Sequence, residues 1–181
     1  ATTAGLNTTP IAEWSVAAKL LLVIGMTIGG EAGATVGGLK LGRLVMVLRG
    51  LAWRLADVRR TPHEVATRRI DGEPVREDAA HARVRAAAML AALWLGCLTL
   101  ATLALAAIAG DDRPLEDVLL ETASAQGNVG LSVGIVSREL GTGAKALLCL
   151  VMWLGRLEII PVLVLASSFL VAPRRQATPE A

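Results

Sequence analysis

From Ala86 to Ala109 the chain runs for 24 residues without one charged side chain. Coiled as a helix at about 1.5 Å per residue, the run reaches about 36 Å, more than the roughly 30 Å hydrocarbon core of a bilayer. A soluble domain would spread its apolar residues along many helices and strands. Here they are bunched. Apolar residues make up 54% of the 181, and the 18 Gly raise this to roughly 64%, against about 45–50% in soluble domains. The fold class this implies is an all-α integral membrane protein.

Two further stretches exceed the roughly 20 residues a crossing needs. One runs from Trp14 to Trp53, interrupted by the glycine-rich run Gly29–Gly38. The other runs from Gly143 to Ala172 and carries Arg156 and Glu158 in its middle. Three crossings are therefore expected. Between the second and third lies a shorter element. Asp112-Arg113-Pro114 has the form of a helix start, and Leu115, Val118, Leu119 and Thr122 follow at helical spacing as far as Ala125. Twelve residues make about 18 Å, too short to span. After it comes Gln126–Gly134, rich in Gly. On layout alone, a re-entrant pore helix and an amphipathic surface helix fit equally.

Charge orients the chain. Eleven Lys/Arg lie between Lys40 and Arg85 (Lys40, Arg43, Arg49, Arg54, Arg59, Arg60, Arg68, Arg69, Arg76, Arg83, Arg85) against six acids. From Gly110 to Gly143 six acids face only Arg113 and Arg138. The positive-inside rule puts the first segment in the cytoplasm and the second outside. Within the connector, Leu51 to Val65 can continue as an amphipathic helix, and Asp71-Gly72 between short extended arms predicts a hairpin. Its arginines suit anionic lipid or a partner, and equally a solvated positive face.

Little here supports catalysis. His63 and His81 both sit in the connector, and no nucleophile elbow, phosphate-binding loop or zinc motif occurs. Cys97 and Cys149 lie inside apolar runs, which suits packing rather than a disulfide or a metal. A net charge of +2 excludes a nucleic-acid argument. The chain opens on Ala1-Thr2-Thr3 without a basic leader, and it is expected to be a piece of a longer protein.

The glycines of 127–134 suit a different task. Carbonyls of an extended, glycine-permitted backbone can replace water around a monovalent cation. A preceding helix would aim the negative end of its dipole at the same point. The segment Thr2-Thr3-Ala4-Gly5-Leu6-Asn7-Thr8-Thr9 repeats the theme ahead of the first apolar stretch. Aligning Gly5-Leu6 with Gly130-Leu131 gives one and a half copies of a helix–pore loop–helix unit.

Four motifs, in order, are then recognisable: Thr2–Leu6, Ile28–Lys40, Gly127–Ser132 and Gly155-Arg156-Leu157-Glu158-Ile159. Together they resemble the C-terminal half of a Trk-type potassium uptake subunit, of the Trk/Ktr/HKT superfamily. The resemblance implies the end of a third repeat and a complete fourth. By it, residues 1–53 hold a filter strand and a broken second helix, and 54–85 are a cytoplasmic connector. Residues 86–172 are the fourth repeat (helix 86–109, pore helix 114–125, filter 126–132, helix 143–172), and 173–181 are a tail.

The resemblance also implies roles. Gly5 and Gly130 would be filter glycines, with Thr3, Ala4, Asn128 and Val129 offering neighbouring carbonyls. Gly29, Gly30, Glu31, Gly33, Gly37 and Gly38 would form an intramembrane loop obstructing the pore below the filter. Glu31 departs from the small or polar residue usual there, and Val36 from a small one. Arg156 would be a cationic barrier in the cavity beneath the filter. The implied activity is potassium uptake across a bacterial inner membrane by a homodimer with a TrkA-like cytoplasmic nucleotide-binding regulatory subunit. Potassium is the cargo, with no covalently bound cofactor and no catalysed reaction. The same scaffold can pass sodium, or the glycines can serve helix packing alone in a non-conducting module. For Gly25 the four-residue glycine spacing favours packing. A salt bridge to another helix is the plain alternative for Arg156.

Overall fold

A computed structural model describes residues 4–30, 37–58, 68–70, 72–110 and 113–157. Thr3, Glu31, Gly33, Val36, Asp112, Glu158, the end of the last apolar stretch and the 173–181 tail lie outside these residues.

The first apolar stretch is two helices rather than one. After a 3-10 turn at Ile11–Glu13, α1 spans Val16–Thr27, its first turn capped by the Ser15 hydroxyl, which accepts from the Ala18 N–H. It stops where Gly29-Gly30 follows. The chain resumes as α2, Leu41–Val58. Three backbone bonds close the neck between them: Gly29 N–H to Leu39 O at 2.8 Å, Leu39 N–H to Thr27 O at 2.9 Å, and Leu41 N–H to Gly30 O at 3.2 Å. The glycine-rich run is thus a side excursion with a hydrogen-bonded base. That satisfies backbone groups which a broken helix would otherwise leave bare at membrane depth. The expected amphipathic continuation from Leu51 is the second half of α2 as far as Val58, and the rest of it, to Val65, lies outside the described residues.

The hairpin forms as its turn predicts. Strands β1 (Arg68–Ile70) and β2 (Glu73–Val75) pair antiparallel with Ile70 opposite Glu73. Gly72 takes the left-handed backbone, φ +88°, that a tight two-residue turn demands. Helix α3 then runs from Glu77 to Ala109, nine residues before the expected start at Ala86. Glu77 and Asp78 in the first turn complement the helix dipole, and alanines carry the helix onward. A charge-free window sees only the part that fits a bilayer. The whole helix, at about 1.5 Å per residue, extends about 50 Å.

Among the described residues α3 is the one helix long and apolar enough to cross a membrane, whereas α1 is apolar but short. Its outer side chains are open, with Leu100 70% and Leu103 57% exposed. A soluble core helix would bury them, so this surface is built for lipid or for other membrane helices.

Helix α4, Leu115–Gln126, is the short element, and α5 spans Thr142–Leu157. Pro114 holds the cap position of α4 without a side-chain cap bond. Helices α1, α3 and α5 all pack on α4. Val118, Leu120, Glu121, Thr122, Ala123, Ser124 and Gln126 are all buried, so α4 is enclosed on most sides despite its polar residues. Leu115, at the head of the expected apolar stripe, is 60% exposed. One core cluster joins Leu120 and Ala123 to Met26, Trp94 and Leu98. A second joins Val118 to Leu105, Ile135 and Leu148.

Candidate functional site

Enclosing a polar helix needs partners for its polar groups, and α1, α3 and the segment after α4 supply them. From α1, the Lys19 ammonium donates to Asp117 at 2.6 Å, with both side chains largely buried. From α3, the Thr102 hydroxyl meets that of Thr122 at 2.7 Å, and the Trp94 carbonyl accepts from Gln126 Nε2 at 2.9 Å. The fourth polar group, Glu121, bonds to the chain beyond the helix. Its Oε1 accepts from the Ser132 hydroxyl at 2.5 Å and from the N–H groups of Ile135 and Val136 at 3.1 and 3.3 Å.

Beyond α4 the chain turns sharply. Gly127 N–H returns to Ala123 O, Asn128 N–H to Ala125 O and Val129 N–H to Ser124 O. Asn128 has φ +52°, which Asn tolerates better than most residues. Gly130 follows at φ +86°. The N-terminal segment approaches at this point. Gly5, at φ +64°, is so close that a Cβ there would lie 3.0 Å from the carbonyl oxygens of both Val129 and Gly130. A Cβ on Gly130 would lie 3.4 Å from Gly5 Cα. Two residues 125 positions apart in sequence thus meet in left-handed backbone at the C-terminal end of a buried helix.

The other glycine-rich segments come to the same place. A Cβ at Gly37 would sit 2.5 Å from the Gly127 carbonyl oxygen and 3.2 Å from Asn128 Nδ2. One at Gly155 would overlap the Gln126 carbonyl. Asn128 Nδ2 also donates to the Met152 carbonyl on α5 at 3.1 Å. The base of the excursion, the turn after α4 and α5 therefore touch around residues 126–128. The profile of the TrkH cation transport proteins matches residues 1–174.

The chain belongs to the TrkH family.

An uncharacterized cation transporter of Methanocaldococcus jannaschii is 32% identical over 164 residues, which make up 91% of this chain and 33% of that protein. The Trk system potassium uptake protein TrkH of Vibrio parahaemolyticus is 30% identical over 167 residues, again 91% of this chain and 33% of the relative. The crystal structure of the potassium transporter TrkH from Vibrio parahaemolyticus superposes with a TM-score of 0.73 at 26% identity, covering 94% of this chain and 36% of that one. The chain spans about a third of the length of these relatives.

Within this TrkH-family fold, the residues singled out from sequence divide clearly. Ala4, Gly5, Asn128, Val129 and Gly130 come together, with Thr3 outside the described residues. Gly29, Gly30, Gly37 and Gly38 form the neck of the excursion, and Glu31 and Gly33 lie outside the described residues. Arg156 is exposed near the end of α5, next to the Gly155 that presses on Gln126. Gly25 has nothing within 4 Å of a Cβ built on it, so among the described residues it packs no helix. The residues that sequence reasoning missed are Lys19, Asp117, Glu121 and the Thr102–Thr122 pair. Their one signal was polarity inside apolar stretches, where an ionisable side chain must find a partner.

Proposed function

We propose that this chain is part of a potassium-selective uptake pathway across a bacterial inner membrane. The observation that carries this reading is the meeting of Gly5 and Gly130 at the C-terminal end of α4. There two left-handed glycines stand where backbone carbonyls and the negative end of a helix dipole converge. The cation enters from the outer, acid-rich side and sheds water at carbonyls of residues 3–5 and 128–130. It then meets the 29–38 excursion, which narrows the path, and Arg156, which repels it. Helix α4 is the re-entrant pore helix. Its burial on most sides and its polar links to α1 and α3 favour that over a surface helix.

The other two filter strands come from parts of the protein outside this chain. The names of its potassium-transporting relatives support potassium as cargo, and the arginine-rich connector favours a cytoplasmic regulatory partner. Homodimerisation and a TrkA-like nucleotide-binding subunit follow from the family resemblance.

Rubidium and sodium flux through the complete protein in proteoliposomes tests the reading. Rubidium flux well above sodium flux is expected. Preferred sodium flux makes it a sodium pathway. Absence of both, from folded protein, overturns transport altogether.

A further inference from the structure

A carboxylate buried at membrane depth is costly, and it persists only where polar partners offset the cost. Glu121 is 3% exposed, and the proposed pathway does not call on its side chain to touch the ion. Among the described residues its three hydrogen-bond donors come from one short segment, Ser132 to Val136, which begins at the outer end of the Gly130 strand. Ser132 is itself tied in, since its hydroxyl oxygen accepts from the Gly134 N–H at 2.9 Å. At the other end of the strand, Val129 N–H bonds to Ser124 O at 2.9 Å. Both anchors belong to α4, less than one turn apart. The strand 129–132 is therefore splinted to its own helix at two points, one made by backbone and one by Glu121.

Packing does little of this on one flank. A cavity of about 330 Å³ borders the strand there, lined by Glu121, Asn128, Gly130, Ser132, Lys145 and Met152 among others. On that side hydrogen bonds, rather than tightly fitted side chains, set where the Gly130 carbonyl lies.

We infer that Glu121 is a positioning residue for ion selection: through Ser132 and the amides of Ile135 and Val136 it fixes the outer end of the Gly130 strand. This rests on the proposed transport function. Discrimination between dehydrated cations depends on carbonyls held at a set spacing. Loosening the splint lets the strand adjust to the smaller ion. Sodium then gains relative to rubidium even where the protein remains folded.

The test uses the complete transporter in proteoliposomes, with Rb⁺ and Na⁺ flux normalised to folded protein by gel filtration. Glu121→Gln keeps the shape and removes the charge from the acceptor. Ser132→Ala removes one donor at an exposed residue and leaves the buried carboxyl in place. Ser132→Thr keeps the hydroxyl. The expected result is a Rb⁺:Na⁺ flux ratio lowered roughly three- to tenfold in Glu121→Gln and Ser132→Ala, about what one lost or weakened hydrogen bond is worth. Ser132→Thr is expected to stay within about twofold of wild type on the same scale.

An unchanged ratio in both variants, with normal wild-type transport, overturns the positioning role and leaves the transport reading intact. Parallel loss of both fluxes at constant ratio also overturns it, because a merely structural residue acts that way. If Glu121→Gln yields no folded protein, the Ser132→Ala ratio alone decides. A wild-type protein that passes neither ion removes both readings together.

Discussion

Lys19 Nζ lies 2.6 Å from Asp117 Oδ1, joining α1 to the first turn of α4 across 98 residues of sequence. The lysine is 5% exposed. Through this contact α1 grips the short helix that leads to Gly130. Removing one partner leaves a buried charge uncompensated. Lys19→Ala or Asp117→Ala is expected to cost about 3–5 kcal/mol. The double variant is expected to lose less than the sum of the two by about 1 kcal/mol or more. Unfolding of the detergent-solubilised protein measures all three, and additive losses would show that the pair does not interact.

Gly155 and Gly25 make a controlled comparison. A methyl at Gly155 overlaps the Gln126 carbonyl, which belongs to the backbone and cannot swing aside, while one at Gly25 meets nothing within 4 Å. Gly155→Ala is expected to abolish a monodisperse gel-filtration peak or to cost about 3 kcal/mol, at the upper end of overpacking penalties. Gly25→Ala is expected to give wild-type yield. Equal behaviour of the two would contradict the close contact between α5 and the end of α4.

The Thr102–Thr122 contact poses a counting problem. Both hydroxyls also lie 2.8 Å from carbonyls of their own helices, Leu98 O and Val118 O. Each hydroxyl has one hydrogen, so one of them gives up its helix carbonyl to bond across. Thr102→Val removes the link at nearly constant volume and is expected to cost about 0.5–1.5 kcal/mol. Thr102→Ser, which keeps the hydroxyl, is expected to recover most of that loss in the same unfolding measurement.

Two substitutions probe the lower half of the proposed pathway. If Arg156 repels the passing cation, Arg156→Ala raises rubidium flux by roughly tenfold, equivalent to about 1.4 kcal/mol of barrier. A loss of folded protein without faster flux would instead identify a structural salt bridge. Gly37→Ala pushes the base of the excursion away from the Gly127 carbonyl. Because that carbonyl is also backbone, the variant is expected to lower the unfolding temperature, and in the protein that remains folded to raise flux. Lower flux per folded protein would argue against the excursion as an obstruction.

Much of this was written along the chain because the signals are local. A charge-free run of 24 residues needs a bilayer whatever surrounds it. Gly pairs inside an apolar stretch break a helix, and an Asp-Gly turn makes a hairpin. The pairing of Gly5 with Gly130 was legible for a similar reason, since two copies of one short pattern are expected to occupy equivalent places around one axis. Even the late start assigned to α3 has a local cause: hydropathy reports where a helix is apolar, while helix formation extends through alanines and an acidic first turn as far back as Glu77.

What stayed hidden depends on distance through space. Glu121 reads in sequence as one acid of an outward-facing segment, and Lys19 as a stray charge in an apolar helix. Only the packing of α1, α3 and α5 around α4 buries them, and burial converts an inexpensive solvated charge into one that requires a particular partner. The sequence by itself determined that the chain belongs in a membrane, where its helix breaks, and which glycines free the backbone. The tertiary structure alone decided which polar side chains hold those glycines in place, because a hydrogen bond across 11 or 98 residues leaves no periodicity to read.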